Sequence, residues 1–265
     1  MTTPNLGDAL NELVNGARAA LFEQSELTQL TYLAFDLATG TLRQTDQESI
    51  EISFPVGYRA DRTAIPSSRA YSPEELINKY TYLAVHQLSV NAIFQLVTII
   101  EAMLTDVVRS VVVRYPQKLG NKRSVSIQAV LEASSLEEVH IKATDSFLNE
   151  LSYKSPADFA EAAQYFLSIN LLECPAFHHY LEVKASRDIF IHSRGVANEV
   201  YVRKSGTHAR VTAGKNLPAD TAYFLESLES CLQITEWLEI ALHERWHCSH
   251  KEERDAPQLA FPVLG

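Results

Sequence analysis

The feature that most constrains the fold is the stretch from Ser72 to Pro116, in which a helix start precedes a long run of helically spaced apolar residues. Its first four residues, Ser72-Pro73-Glu74-Glu75, combine a capping serine, a proline at the first helical position and a glutamate three residues after the cap. The apolar residues that follow keep the period of an α-helix: Leu88, Ile93, Val97, Ile100, Leu104, Val107 and Val111. Further apolar residues fill the other side, so we expect this helix, continuous or broken once, in the middle of a helical bundle.

The rest of the chain also favours helices. We expect them over 6–22, with a second short helix through Leu33 and Phe35, and over 126–133, 136–151, 155–169, 175–195 and 220–247. Gly195 is expected to end its helix in a left-handed conformation. The region 39–70 carries turn residues and the alternating Ile50, Ile52 and Phe54, so it predicts a loop or hairpin and a domain boundary. The fold class is therefore all-α, with an N-terminal extension (1–70), a helical domain (71–255) and a tail (256–265).

Membrane insertion and secretion are not expected. The apolar stretch 90–113 is interrupted by polar and charged residues that include Asn91, Gln95, Glu101, Asp106 and Arg109. A spanning helix needs about 20 nearly unbroken apolar residues. The N-terminus resembles no signal peptide, and Cys174, Cys231 and Cys248 have neither disulfide nor metal spacing. We expect a cytoplasmic protein.

Charge is distributed unevenly along the chain. The formal net charge of −10 argues against general nucleic-acid binding. However, residues 184–215 hold seven basic and two acidic side chains, and residues 107–130 hold five basic and no acidic ones, a net of +5 in each segment. The remainder carries −20. We expect the two basic segments to form one cleft for a phosphate backbone; the alternative is a solvated face or pairing with acidic helices.

The sequence His243-Glu244-Arg245-Trp246-His247 fits the HExxH pattern of zinc hydrolases, in which two imidazoles share a helix face and the glutamate acts as a base. A third ligand is missing, because Glu253 stands where the metzincin pattern has a histidine. Arg245 also places a cation between the ligands. The simpler interpretation is a histidine cluster interacting with the helix dipole, so we expect no cofactor and no metal.

The run KASRDIFIHSRGVANEVY, residues 184–201, holds the groups that phosphodiester cleavage needs without a metal. A guanidinium such as that of Arg187 can fork onto phosphate oxygens, and an imidazole such as that of His192 exchanges protons near neutral pH. Asp188 shares a helix face with His192 and can fix its tautomer, or it can pair with Lys184 instead.

This run resembles the RxxxxH motif of HEPN domains, with Arg187, His192 and the following Gly195, Asn198 and Tyr201. Two upstream segments, 99–104 and the helix start at 155–160, are similar to other helices of that superfamily. The likeness covers roughly residues 75–205 and is specific only in the 187–201 run.

The resemblance implies a helical bundle that is usually dimeric and in many members a metal-independent endoribonuclease. Arg187 would contact the scissile phosphate and His192 would transfer a proton. The RNA 2′-hydroxyl would attack its own phosphate and leave a cyclic phosphate. Some members are inactive and serve as binding modules.

Helical geometry limits how these residues can act together. Positions five apart lie about 140° apart around the axis, so Arg187 and His192 of one regular helix do not face one phosphate. Either the helix loosens just before Gly195 or two chains bring their motifs together, and we expect the second, with one shared cleft at the interface. Arg194, seven residues after Arg187, is expected on the same face as a second guanidinium, unless it only complements the helix end. Glu101 either is a buried acid with a partner or orients Arg187.

The sequence thus predicts a homodimeric HEPN-type endoribonuclease with a toxin or phage-defence role, acting on RNA and possessing an antitoxin or regulatory partner. Arg187 and His192 are the expected catalytic residues, and Asp188 and Arg194 the supporting or phosphate-binding ones. The alternative is a noncatalytic HEPN-like module that binds RNA, a nucleotide or a protein. The zinc hydrolase is a third hypothesis.

Overall fold

The computed structural model describes residues 5–120, 126–152 and 156–246, and these form a predominantly α-helical fold with one two-stranded hairpin. The all-α prediction is confirmed. The helices are α1 (Leu6–Leu42), α2 (Pro73–Tyr82), α3 (Ser89–Arg114), α4 (Ile127–Leu131), α5 (Leu136–Ser152), α6 (Pro156–Leu167), α7 (Pro175–His192), α8 (Glu199–Ser205) and α9 (Thr221–Trp246). The strands are β1 (Ile50–Tyr58) and β2 (Ala64–Tyr71).

The first helix, α1, is one continuous element. The sequence predicted a helix over 6–22 followed by a second short helix. Asn5 caps α1 by accepting a hydrogen bond from the Gly7 N–H at 3.3 Å. Leu10, Val14 and Leu21 are fully buried in the main core, where α1 packs against α3 and α9. The segment expected as an extension therefore contributes its helix to the bundle.

The strands β1 and β2 form the hairpin that the alternating Ile50, Ile52 and Phe54 predict. They pair antiparallel, with Ile50 opposite Tyr71 and a bulge between Pro55 and Gly57. Most of their residues are exposed.

The helix that opens at Ser72 is the centre of the bundle, as predicted. The Ser72 hydroxyl accepts from the Glu75 N–H and the Glu75 carboxylate accepts from the Ser72 N–H, which confirms the capping box. A π-helical segment, Leu83–Leu88, joins α2 to α3 and is the single irregularity in this stretch. α3 then contacts α1, α5, α6, α7 and α9. Its apolar residues supply much of the core.

The last helix, α9, begins after Asp220, whose carboxylate accepts a hydrogen bond from the Tyr223 N–H at 2.9 Å. It packs against α1, α3 and α7. Within the described residues, no helix has the length and apolarity needed to cross a membrane.

Candidate functional site

The helix α7 carries the predicted motif and ends inside it. The N–H groups of Ser193 and Gly195 both donate to the Ile189 carbonyl, at 2.9 and 3.2 Å. Gly195 has φ +81°, the left-handed conformation that the sequence predicts. Arg194 also has a positive φ, +52°, and is exposed. Because the helix ends at His192, Arg194 lies outside the helical register on which its expected position beside Arg187 was based, and that position stays a prediction.

Arg187 is held by two carboxylates. Its Nη2 donates to Glu101 Oε2 at 2.7 Å and its Nη1 to Asp188 Oδ1 at 3.0 Å. Lys184 also forms an ion pair with Glu101. Glu101 on α3 is therefore an orienting partner of Arg187, one of the two roles that the sequence left open. The Arg187 side chain remains 22% exposed.

His192 is exposed and lines a groove of about 230 Å³ between α7 and α8. Asp188, Asn198 and Lys204 line the same groove. Lys204 Nζ donates to Asp188 Oδ2 at 3.3 Å. Asp188 and His192 therefore share a face of α7, as the sequence predicts.

The Asp188 carboxylate is occupied by cations, since Arg187 binds one oxygen and Lys204 the other. Among the described residues, no hydrogen bond joins Asp188 to His192. Lys184, the alternative partner of Asp188, pairs with Glu101 instead. Asp188 therefore links two cations in this chain and does not fix the imidazole.

Arg187 and His192 have different contacts within one chain. Arg187 bonds Glu101 on α3 and Asp188 on α7, whereas His192 lines the groove beside α8 together with Asp188. Positions five apart on a regular helix lie about 140° apart around its axis, so the prediction that two chains share one site stays a prediction.

A buried carboxylate that sequence reasoning missed holds the segment after α7 in place. Glu182 is fully buried and accepts hydrogen bonds from the hydroxyls of Ser186, Tyr201 and Tyr223 and from Arg210 Nε. Burial, with the nearby Glu182 charge, raises the pKa of Tyr223, and burial raises the pKa of Tyr201, so both phenols stay protonated and donate.

This network fixes α8 and the following turn against α7, and α8 carries Lys204. The sequence did contain a signal for this network. Glu182 lies one helical turn before Ser186, so the two side chains share a face of α7, and that face is buried. In the sequence, Lys204 stood out only as one of the seven basic residues of 184–215.

The two basic segments do not form one cleft within the chain. Glu101, near the middle of α3, meets the C-terminal half of α7, whereas Leu104 and Thr105 lie beside Phe177 near its start. The two helices therefore run antiparallel. The end of α3 at Arg114 lies about 20 Å beyond Glu101. Residues 107–120 of the segment 107–130 are thus near the opposite end of α7 from His192, while its Lys122 and Arg123 lie outside the described residues. For the described residues of a single chain, the expectation of one cleft is wrong.

The HExxH pattern lies only partly within the described residues. His243, Glu244 and Arg245 are exposed in the last turn of α9, while His247, Cys248 and His250 lie outside. In residues 5–120, 126–152 and 156–246, no group of three or more His, Cys, Asp or Glu side chains is placed to hold a metal ion.

Comparison of the chain with protein-family models, with curated proteins and with solved structures found no match.

Proposed function

We propose that this protein is a metal-independent endoribonuclease of the HEPN type, whose site combines Arg187 of one chain with His192 of a second copy. The observation that carries the proposal is the exposed His192 imidazole beside Lys204, one helical turn from the Arg187 and Asp188 pair. These groups belong to a segment of net charge +5 in an acidic chain, which favours contact with a phosphate backbone.

The proposed reaction needs a base, an acid and stabilisation of the phosphate. His192 takes the proton from the RNA 2′-hydroxyl, and the 2′-oxygen attacks the adjacent phosphorus. The bond to the 5′-oxygen breaks, that oxygen takes a proton from solvent water acting as the acid, and the His192 imidazolium returns its proton to solvent. The products are a 2′,3′-cyclic phosphate and a 5′-hydroxyl. Arg187 has five N–H donors, of which Glu101 and Asp188 occupy two; the other three bond no described residue and can donate to phosphate oxygens.

The surface around His192 supports a homodimeric site. Three exposed apolar residues, Ile191, Val196 and Val200, are near His192 in the chain, and Val200 lines its groove. Burying them against a second copy removes apolar surface from water, and a two-fold axis there places each His192 near the partner's motif. A paired site also removes the geometric conflict that separates Arg187 from His192 in one chain.

The proposed setting is cytoplasmic, with a toxin or phage-defence role that an antitoxin or another regulatory protein restrains. An acidic surface outside 184–215 limits indiscriminate RNA binding. Arg187 is paired with Glu101 and Asp188, so an RNA phosphate must compete with these two carboxylates for the guanidinium.

The experiment is RNA cleavage by the purified chain in excess chelator, with the product ends identified. His192→Ala and Arg187→Ala should each lower the cleavage rate by at least about 100-fold. His178→Ala and Arg114→Ala are the matched controls, because His178 is an exposed imidazole at the other end of α7 and Arg114 an exposed guanidinium on α3. Unchanged cleavage by the His192 variant, or cleavage only with added zinc, would refute the proposed site.

A noncatalytic RNA-binding module is the second candidate. The observation that favours it is the engagement of Arg187 with two carboxylates, which leaves its charge largely neutralised. This candidate predicts salt-sensitive RNA binding, equal affinity in the His192→Ala variant, and no cyclic-phosphate ends. The product analysis above separates the two functions.

A further inference from the structure

A pocket of about 310 Å³ opens between α3, α5, α6 and α7, and the proposed ribonuclease chemistry does not use it. Its walls are mainly apolar and are formed by Leu104, Leu151, Phe159 and Phe177. The volume is at the lower end of the range of small-molecule sites, about 300 to 1,000 Å³. The pocket can therefore hold a compound of one or two rings.

Keeping this space open costs stability, because the side chains that line a void lose van der Waals contacts. Tyr180, which also lines the pocket, is almost fully buried, and its hydroxyl has no hydrogen-bond partner among the described residues. A polar group left unsatisfied in a core is a further cost. Both features are typical of a binding site without its ligand.

The charges at the rim select the kind of ligand. Glu101, Asp106 and Lys184 line the pocket. The Glu101 charge is already neutralised by Lys184 and Arg187.

Among the described residues, Asp106 forms one long ion pair, with Arg109. Its carboxylate lies 3.8 Å from Arg109 Nε, and the Arg109 side chain also forms a closer ion pair with Asp145. The Asp106 side chain is 51% exposed. A carboxylate with weak neutralisation beside an apolar pocket attracts a cationic head group attached to an apolar body.

We infer that this pocket binds a small aromatic amine, with its rings between the apolar walls and its ammonium group at Asp106. The apolar walls supply most of the affinity through burial of the ring surface. Asp106 supplies the preference for positive charge. The inference does not depend on ribonuclease activity, since neither Arg187 nor His192 lines the pocket, although Glu101, the partner of Arg187, does.

The test uses three indoles that share a ring system and differ in the charge of the head group: tryptamine (cation), tryptophol (neutral) and indole-3-acetate (anion). Dissociation constants are measured by NMR titration of the full chain at low ionic strength. We expect tryptamine to bind about 5-fold more tightly than tryptophol, and indole-3-acetate about 5-fold more weakly than tryptophol. Absence of tryptamine binding, or equal affinity for the three compounds, would overturn the inference.

Two variants at exposed positions locate the binding. Asp106→Asn should bring the affinities of tryptamine and tryptophol to within about 2-fold of each other while both still bind. Ala102→Trp should fill the mouth of the pocket and abolish binding of all three, because Ala102 lines the pocket and is exposed on α3. Asp36→Asn, an exposed acid on α1, is the control. An unchanged ranking in Asp106→Asn would refute the assigned site even if Ala102→Trp fails to fold.

Discussion

The buried carboxylate of Glu182 provides a stringent test of the fold around the candidate site. Replacement by glutamine keeps the shape of the side chain and removes its charge. Glu182 Oε1 accepts from Ser186 Oγ at 2.6 Å, from Tyr201 Oη at 2.7 Å and from Arg210 Nε at 3.1 Å, and Oε2 accepts from Tyr223 Oη at 2.8 Å. In Glu182→Gln the amide oxygen can keep one side of this arrangement. The amide nitrogen can only donate, so the hydroxyl that it faces must rotate until its oxygen accepts that hydrogen bond.

The expected loss is dominated by Arg210. A hydrogen bond to a charged group contributes about 1.5 to 3 kcal/mol, and breaking a buried ion pair costs about 3 to 5 kcal/mol. The Arg210 side chain is 20% exposed and also donates to the Pro218 carbonyl, so part of its charge stays solvated or paired. We therefore expect Glu182→Gln to lower the free energy of unfolding by about 3 kcal/mol.

The measurement is equilibrium unfolding in urea, with the thermal midpoint as a second readout. For a chain of this size, about 3 kcal/mol corresponds to a fall in Tm of about 6 to 12 °C. Glu236→Gln makes the same chemical change at an exposed position of α9 and should stay within about 0.5 kcal/mol of wild type. A loss below about 1 kcal/mol for Glu182→Gln, with an unchanged m-value, would show that the carboxylate is not the buried acceptor described above.

Two further predictions concern stability. Burial lowers the pKa of His179, which bonds to Ser230 Oγ at 2.6 Å. Because the unfolded chain binds this proton at a higher pH than the folded chain, the free energy of unfolding should fall as the pH drops below about 6.5. His179→Gln should make that pH dependence shallower. An equal slope in the variant would contradict this. Gly195→Ala should destabilise the protein by about 1 kcal/mol, since Gly195 has φ +81°, a conformation that an L side chain rarely adopts. Gly16→Ala, inside α1 with nothing near the added Cβ, should stabilise it by about 0.5 to 1 kcal/mol; urea unfolding of both variants checks the opposite signs.

Local signals predicted the helices well, because their starts and ends depend on neighbouring residues. The capping box at Ser72 and Glu75 and the left-handed Gly195 follow from rules that act within one turn. The continuity of α1 was not predictable in the same way. It depends on packing against α3 and α9, which an isolated segment does not reveal.

The contacts of the predicted site residues were only partly predictable. Spacing placed Asp188 and His192 on one face of α7, and both line one groove. Helical register does not extend to Arg194, because α7 ends at His192. The partners of Asp188 depend on Lys204, which lies on another helix, so tertiary packing decides them.

The two basic segments illustrate a limit of charge counting. The sums along the chain indicate where cations are, but the antiparallel course of α3 and α7 decides whether they meet. Lys118, for example, donates to the Phe166 carbonyl and lies over the Trp246 ring, away from the motif.

The proposed composite site is tested most directly by complementation between two inactive variants. Arg187→Ala and His192→Ala proteins are each assayed for RNA cleavage in excess chelator, then mixed in equal amounts, unfolded, refolded together and assayed again. If each site uses Arg187 of one chain and His192 of the other, every mixed dimer has one intact site. Because half of the dimers are then mixed, the mixture should recover about one quarter of wild-type activity. No recovery, with mixed dimers demonstrated, would contradict a site shared between two chains.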